Sequence, residues 1–144
     1  MAVACDLRIA AQDAKFGVPI ARTLGNTLSA QNIARLAGLI GPARAKEILF
    51  TARFIDAEEG KAIGLFNDVV EADRLESRAN ELATLIAGHA PLTIRSVKGA
   101  VRRLLEYGRI DESSDLYLMC YLSEDFKEGV SAFLEKRAPQ WKGK

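Results

Sequence analysis

The stretch Ala4-Cys5-Asp6-Leu7-Arg8-Ile9-Ala10, followed after a short polar turn by Ala14-Lys15-Phe16-Gly17-Val18-Pro19-Ile20, decides how this chain is read. An apolar run starts at Met1 with no capping residue ahead of it, so residues 1–5 read as the last turns of a helix. From Asp6 to Ala11 polar and apolar residues alternate, with Leu7, Ile9 and Ala11 on the side expected to face a core. Gln12-Asp13 is a turn and Lys15 to Val18 a second short strand, whose pairing Pro19 ends. Residues 19–28, with Pro, Thr, Gly and Asn, read as a loop. The stretch looks like the middle of a larger architecture. The chain is expected to be the rear half of an enzyme fold, with part of the active site before Met1.

Working outward, the pattern turns helical. Ser29 is expected to cap a helix carrying Ile33, Leu36 and Ile40 on one face. Gly41-Pro42 is a stop followed by a start, because Gly suits the residue after a helix and Pro the first residue of one. The next helix runs to about Phe50 and carries Ala45, Ile48 and Leu49. Asp56-Ala57-Glu58-Glu59 has capping-box form and opens a short helix closed by Gly64. Leu65 to Val70 is a strand candidate, and Asp73-Arg74-Leu75-Glu76 a second capping box. That box opens a helix carrying Leu75, Ala79, Leu82 and Ile86, which ends near Gly88-His89. Pro91 opens a helix with Ile94, Val97, Val101 and Leu104 inward and Arg95, Lys98, Arg102 and Arg103 outward, ended by Gly108. Asp111 is expected to cap a helix through Leu122 that is apolar all round, so both of its faces should be buried and a subunit interface fits there. Ser123 starts the last helix, with Phe126, Val130, Phe133 and Leu134, and Ala138-Pro139 ends it ahead of Trp141. Short strands followed by many helices give an α+β fold or the helical end of an α/β fold.

With 144 residues, 49% apolar and 27% charged, the chain suits one globular domain with a core. A net charge of +1 offers no electrostatic case for nucleic acid or an anionic membrane. No apolar run reaches the ~20 residues of a membrane span, and no basic segment precedes the first apolar run as in a secretory signal. Cys5 and Cys120 read as two buried thiols of a reducing cytoplasm. With His89 the single histidine, at a helix end, zinc coordination is set aside.

Carboxylates at Asp56, Glu58, Glu59, Asp111, Glu112, Glu124 and Asp125 all stand at helix starts, where the helix dipole favours anions. No pair stands out as an acid and base. Arg22, Thr23, Asn26, Thr27 and Ser29 are polar groups on a loop after a strand, a usual place for a binding site. Glycine-rich nucleotide-binding motifs are absent from the sequence.

Several blocks resemble the crotonase superfamily, and within it the enoyl-CoA hydratase/isomerase proteins. They are residues 4–10 and 14–19, Arg-Leu-Ala-Gly-Leu-Ile-Gly at 35–41, Ala-Lys-Glu-Ile-Leu-Phe-Thr-Ala at 45–52, Ile-Asp-Ala-Glu-Glu at 55–59, Ala-Ile-Gly-Leu at 62–65, and the region from Glu124-Asp125-Phe126-Lys127-Glu128-Gly129 to Ala138-Pro139. In order, they cover nearly the whole chain. The resemblance implies an α/β, ClpP/crotonase-like fold. Residues 1–70 would be the rear part of a ββα superhelix, and residues 71–144 a helical trimerisation region. It implies an acyl-CoA thioester substrate, no separate cofactor, a homo-oligomer (a trimer or a dimer of trimers), and a cytoplasmic protein with neither nucleic acid nor a membrane span.

Enzymes of this family hold a thioester enolate with two backbone N–H donors. The resemblance places both donors, and the first of the two hydratase glutamates, upstream of Met1. The second glutamate position follows Phe-Gly-x-Pro, where this chain has Ile20. No residue is therefore assigned as catalytic; polar loop residues such as Arg22, Thr23 and Asn26 are candidates for reshaping the pocket, Arg22 and Asn26 first among them. Phe133 and Lys136 match the family's aromatic contact with the CoA adenine and its cation at the phosphate, with Arg137 alongside. The implied function is that of an enoyl-CoA hydratase-like protein of acyl-CoA metabolism. The alternatives are an isomerase, decarboxylase or thioester hydrolase on the same scaffold, and a catalytically inactive CoA-binding or oligomerising module.

Overall fold

Arg8, just ahead of the first strand, and Ala10 within it, not Leu7, Ile9 and Ala11, are the buried residues of this stretch. The computed structural model, which describes residues 2–23, 27–107 and 114–144, leaves Arg8 8% and Ala10 5% exposed and Leu7 43% exposed. The inversion has a chemical reason. The Arg8 guanidinium donates to the Leu65 carbonyl through Nε at 2.6 Å and to the Cys5 carbonyl through Nη1. A charge whose donors are satisfied can lie on an inner face. Cys5 itself is exposed, contrary to its expected burial, in the bend after a 3₁₀ turn at Ala2–Ala4.

The chain divides into two units, Met1–Glu81 and Leu82–Lys144, and the division falls inside a helix. In the first unit β1 (Ile9–Ala11) pairs in parallel with β4 (Asp68–Val70), in the register Ala10 to Val69. Parallel pairing needs a long crossover, and the intervening helices supply it. β2 (Lys15–Gly17) pairs antiparallel with β3 (Phe54–Asp56), in the register Phe16 to Ile55. Gly17 leaves room for the Phe54 ring there, since a Cβ would lie 2.6 Å from its Cδ1 and the ring would have to move.

Residues 19–28 are not all loop. Pro19 leads into a single helical turn, α1 (Ile20–Thr23), whose Arg22 and Thr23 N–H groups donate to the Pro19 carbonyl. α2 (Ala30–Ile40) starts at Ser29, whose side chain accepts from Asn32 N–H, and it buries Leu36 and Ile40. Gly41 at φ 79° makes the break, and α3 (Pro42–Thr51) begins on Pro42 and buries Ala45 and Ile48. Asp56 caps α4 (Ala57–Ala62) by accepting from Glu59 N–H at 2.8 Å. The reciprocal half of that capping box does not form, because the Glu59 carboxylate is taken by Arg53, which also holds Glu47. Arg44 and then Arg53 hold the Glu47 carboxyl below its usual range, and Arg53 does the same for Glu59. Leu36, Ile40, Ala45, Ile48, Ile55 and Leu65 form the core. Burying each large apolar side chain there contributes about 2 kcal/mol.

The second expected capping box is absent. Asp73 lies inside a 3₁₀ turn, Ala72–Arg74, that follows Glu71 without a side-chain cap, and α5 (Leu75–Ala87) continues from it. In the second unit α6 (Pro91–Tyr107) also departs from expectation: Val97, Val101 and Leu104 are exposed at 56%, 50% and 47%. The face turned to α7 (Ser114–Tyr121) is the polar and small one. A Cβ on Gly99 would stand 3.0 Å from the Leu116 side chain, Ser96 Oγ donates to the Leu116 carbonyl, and Arg103 pairs with Asp115. Leu118 and Tyr121 of α7, expected to be buried, are exposed at 51% and 47%. The expected Gly108 stop and Asp111 cap lie outside the described residues. α8 (Glu124–Glu135) is capped by Ser123, which accepts from Phe126 N–H at 3.0 Å. Its inward residues are Asp125 and Ala132, whereas Phe126, Val130, Phe133 and Leu134 are exposed.

Candidate functional site

Two places hold the residues singled out by sequence, one in each unit. In the first unit Ile20 opens α1 directly after β2 and is half-buried. An isoleucine there presents an aliphatic wall with no proton to give or take. Arg22 and Thr23 are exposed, and Thr23 Oγ1 donates to the Pro19 carbonyl at 2.9 Å, so its hydroxyl is spent on its own turn. Asn26 lies outside the described residues.

The second place is the C-terminal half of α8. Phe133 is 83% exposed and Leu134 73%, beside a cavity of about 350 Å³. Leu92, Cys120, Phe126, Val130 and Trp141 line the same cavity as Phe133. Lys136 ends the helix in the left-handed conformation, φ 54° and ψ 39°. The next N–H, of Arg137, closes the turn onto the Ala132 carbonyl at 3.0 Å. Glycine usually takes this position, because a Cβ crowds the carbonyl in left-handed backbone. A lysine thus takes left-handed backbone at the very position where a cation is expected.

Arg137, by contrast, is committed. Its Nη1 and Nη2 meet the two Glu128 oxygens at 2.6 and 3.0 Å, and its Nε meets Glu135 at 2.6 Å. The pairing and the Gln140 N–H hold the Glu128 carboxyl at about 2, far below the carboxylate range. Of the two adjacent cations, Lys136 is the one that no carboxylate holds among the described residues. Phe133 and Lys136 thus share one helix end, an exposed aromatic ring and an exposed ammonium three residues apart.

Two residues here escaped the sequence reading. Asp125 stands at a helix start like the other dipole carboxylates, yet it is 3% exposed. Trp141 follows Pro139 in a tail that has no periodicity. The available signal was the tail's Trp-Lys-Gly, a large ring followed by an unhindered backbone able to wrap a carboxylate. Among the described residues no cluster of His, Cys, Asp or Glu could hold a metal ion. No helix among them is long and apolar enough to cross a membrane.

Comparison with known proteins agrees with the fold. The chain is 42% identical to a short-chain-enoyl-CoA hydratase of Clostridioides difficile over 136 residues, covering 92% of this chain and 87% of that protein. It is 38% identical to a short-chain-enoyl-CoA hydratase of Clostridium acetobutylicum, over 95% of this chain and 53% of that protein. A crystal structure of enoyl-CoA hydratase from Bacillus anthracis superposes with a TM-score of 0.88 at 37% identity, over 99% of this chain and 56% of that one. The chain thus spans about half the length of the latter two proteins. The architecture is that of the C-terminal part of the crotonase fold. The family model for enoyl-CoA hydratase/isomerase matches residues 1–144, and the chain belongs to that family.

Proposed function

We propose that this hydratase-like chain serves the metabolism of acyl-CoA thioesters, and that its own contribution is to bind the CoA moiety rather than to move the proton. The observation that carries the reading is the pairing at the end of α8. Phe133, exposed on an apolar cavity, offers a face for adenine, and Lys136, left without a carboxylate among the described residues, offers a charge for phosphate. Ile20 supports the negative half. Hydration needs a group that gives and takes protons within reach of the double bond, and the second glutamate position holds a hydrocarbon. Arg22 and Asn26 remain the candidates for shaping the pocket around that position.

The exposed Val97, Val101, Leu104, Leu118, Tyr121 and Leu122 favour a homo-oligomer, a trimer or a dimer of trimers, formed through the second unit. A cytoplasmic location and the absence of a separate cofactor belong to the same reading. Isothermal titration of the chain with CoA tests the binding, and the loss of crotonyl-CoA absorbance tests the chemistry. The reading expects binding that Lys136→Ala weakens about tenfold, the loss of one charge-assisted contact, together with no hydration by the chain alone. Turnover of crotonyl-CoA by these 144 residues would overturn the division of labour. Absence of CoA binding would overturn the assignment of Phe133 and Lys136.

A further inference from the structure

The last residues of the chain run back across α8 and are tied to one face of it. Arg137 makes its two-point contact with Glu128, and Gln140 N–H donates to the same carboxylate at 2.8 Å. Further on, Lys142 N–H and Gly143 N–H donate to the two oxygens of Asp125 at 2.7 and 2.9 Å. Asp125 N–H in turn donates to the Lys144 carbonyl at 3.1 Å. Between these two ties sits Trp141, against Gly129. A Cβ on Gly129 would lie 3.2 Å from Cη2 of the ring, so the glycine lets the indole sit a few tenths of an ångström closer to the helix. Asp125, Glu128, Gly129 and Ala132 recur at helical spacing and form the face that the tail crosses.

A tail that only protected the helix would not need a large ring standing in a cavity. Trp141 and Phe133 line the same one, and its volume of about 350 Å³ lies within the ~300–1,000 Å³ usual for small-molecule sites. Lys136, Lys142 and Lys144 are exposed on the same segment. Two aromatic rings in an apolar cavity with cations at its margin suit a planar, neutral heterocycle that carries phosphates.

We propose that Trp141, held in place by the Asp125 clasp, is a second aromatic contact for the adenine of CoA, which makes the C-terminal strap part of the nucleotide site. The proposal rests on the reading of Phe133 and Lys136 as CoA contacts and adds Trp141 as a ligand contact and Asp125 as a positioning residue. Stacking on one aromatic ring contributes roughly tenfold in affinity.

The chain has one tryptophan, so its emission reports on this position alone. The 144-residue chain is titrated with CoA, with adenosine 3′,5′-bisphosphate and with pantetheine, each followed by calorimetry and by tryptophan fluorescence. CoA and the bisphosphate should quench the emission with the midpoint that calorimetry gives, and pantetheine should not. Trp141→Ala should weaken CoA about tenfold by calorimetry. Asp125→Asn, which weakens both tail contacts, should weaken CoA and leave pantetheine unchanged, with the emission shifted to the red. Should Asp125→Asn fail to fold, Gly129→Ala replaces it. Alanine favours the helix, while its methyl at 3.2 Å makes the ring give by a few tenths of an ångström, so a smaller loss with the same selectivity is expected. CoA binding with unchanged emission, or equal affinity in Trp141→Ala, overturns the proposal and leaves the Phe133 and Lys136 reading standing. No heat with any of the three ligands removes both.

Discussion

Lys136→Gly should make the protein more stable and a poorer binder of CoA. The backbone at Lys136 sits at φ 54° and ψ 39°, where a side chain's Cβ crowds the adjacent carbonyl. That crowding costs about 1–2 kcal/mol for a residue other than glycine. Glycine removes it but has more freedom to lose on folding, which offsets about 0.5–1 kcal/mol. The closing bond from Arg137 N–H to the Ala132 carbonyl is made by backbone alone and survives the change. A net gain of between about 0 and 1.5 kcal/mol remains, a rise in melting temperature of up to about 5 °C for a chain of this size. Thermal unfolding followed by circular dichroism reads the shift, and calorimetry with CoA reads the loss of affinity. Lys136→Arg separates the two effects, since it keeps both the left-handed backbone and the charge. It should leave the melting temperature unchanged and retain most of the binding. A lower melting temperature in Lys136→Gly would refute the strain argument. Unchanged CoA affinity in the same variant would show that the lysine is held left-handed for no ligand.

Two further predictions concern the first unit. Ile48 is fully buried among Leu36, Ile55 and Leu65, so Ile48→Ala should lower stability by about 2–5 kcal/mol, read as a fall in the urea midpoint with an unchanged slope. Asp68 at the start of β4 is held at about 2 by Arg78 first, then by Lys61 and the Val69 N–H. Its folded value is depressed, so the stability it contributes is complete above about pH 4 and is lost as pH falls toward 2. Asp68→Asn should flatten that part of an acid-unfolding profile. An unchanged profile would mean that the Arg78 and Lys61 contacts are not kept in solution.

The caps were legible because capping chemistry is local. Ser29, Ser123 and Asp56 each announce a helix within three residues of the N–H they accept from, and Gly41-Pro42 carries its break in its own backbone. Leu36, Ile40, Ala45 and Ile48 were legible because the two helices that carry them pack on each other within the first unit. Arg8 was misread because polarity alone assigns arginine to the outside. Its burial depends on the Leu65 carbonyl, 57 residues away in sequence, and no local pattern shows that. Asp125 failed for the same reason, since its partners Lys142 and Gly143 are 17 and 18 residues distant. Ile20 is a different case. Nothing in its own neighbourhood marks it, and its meaning came wholly from the resemblance, as the residue standing where a family pattern has a carboxylate.

Helix α6 shows what a periodic stripe does and does not encode. Ile94, Val97, Val101 and Leu104 recur at helical spacing, and the natural inference is that they face the nearest helix. The nearest helix is instead met by Ser96, Gly99 and Arg103. The choice follows from size and charge. Gly99 lets Leu116 come to within van der Waals contact of the α6 backbone, and Arg103 adds a two-point contact with Asp115. A bulky valine face would hold the two helices further apart. Val97, Val101 and Leu104 of the stripe are then left outward, together with Leu118, Tyr121 and Leu122. Periodicity measures only that a face is apolar. Which element covers that face is set by the residues between the stripes, and in this unit those small and charged residues take the contact within the chain while the stripe stays open.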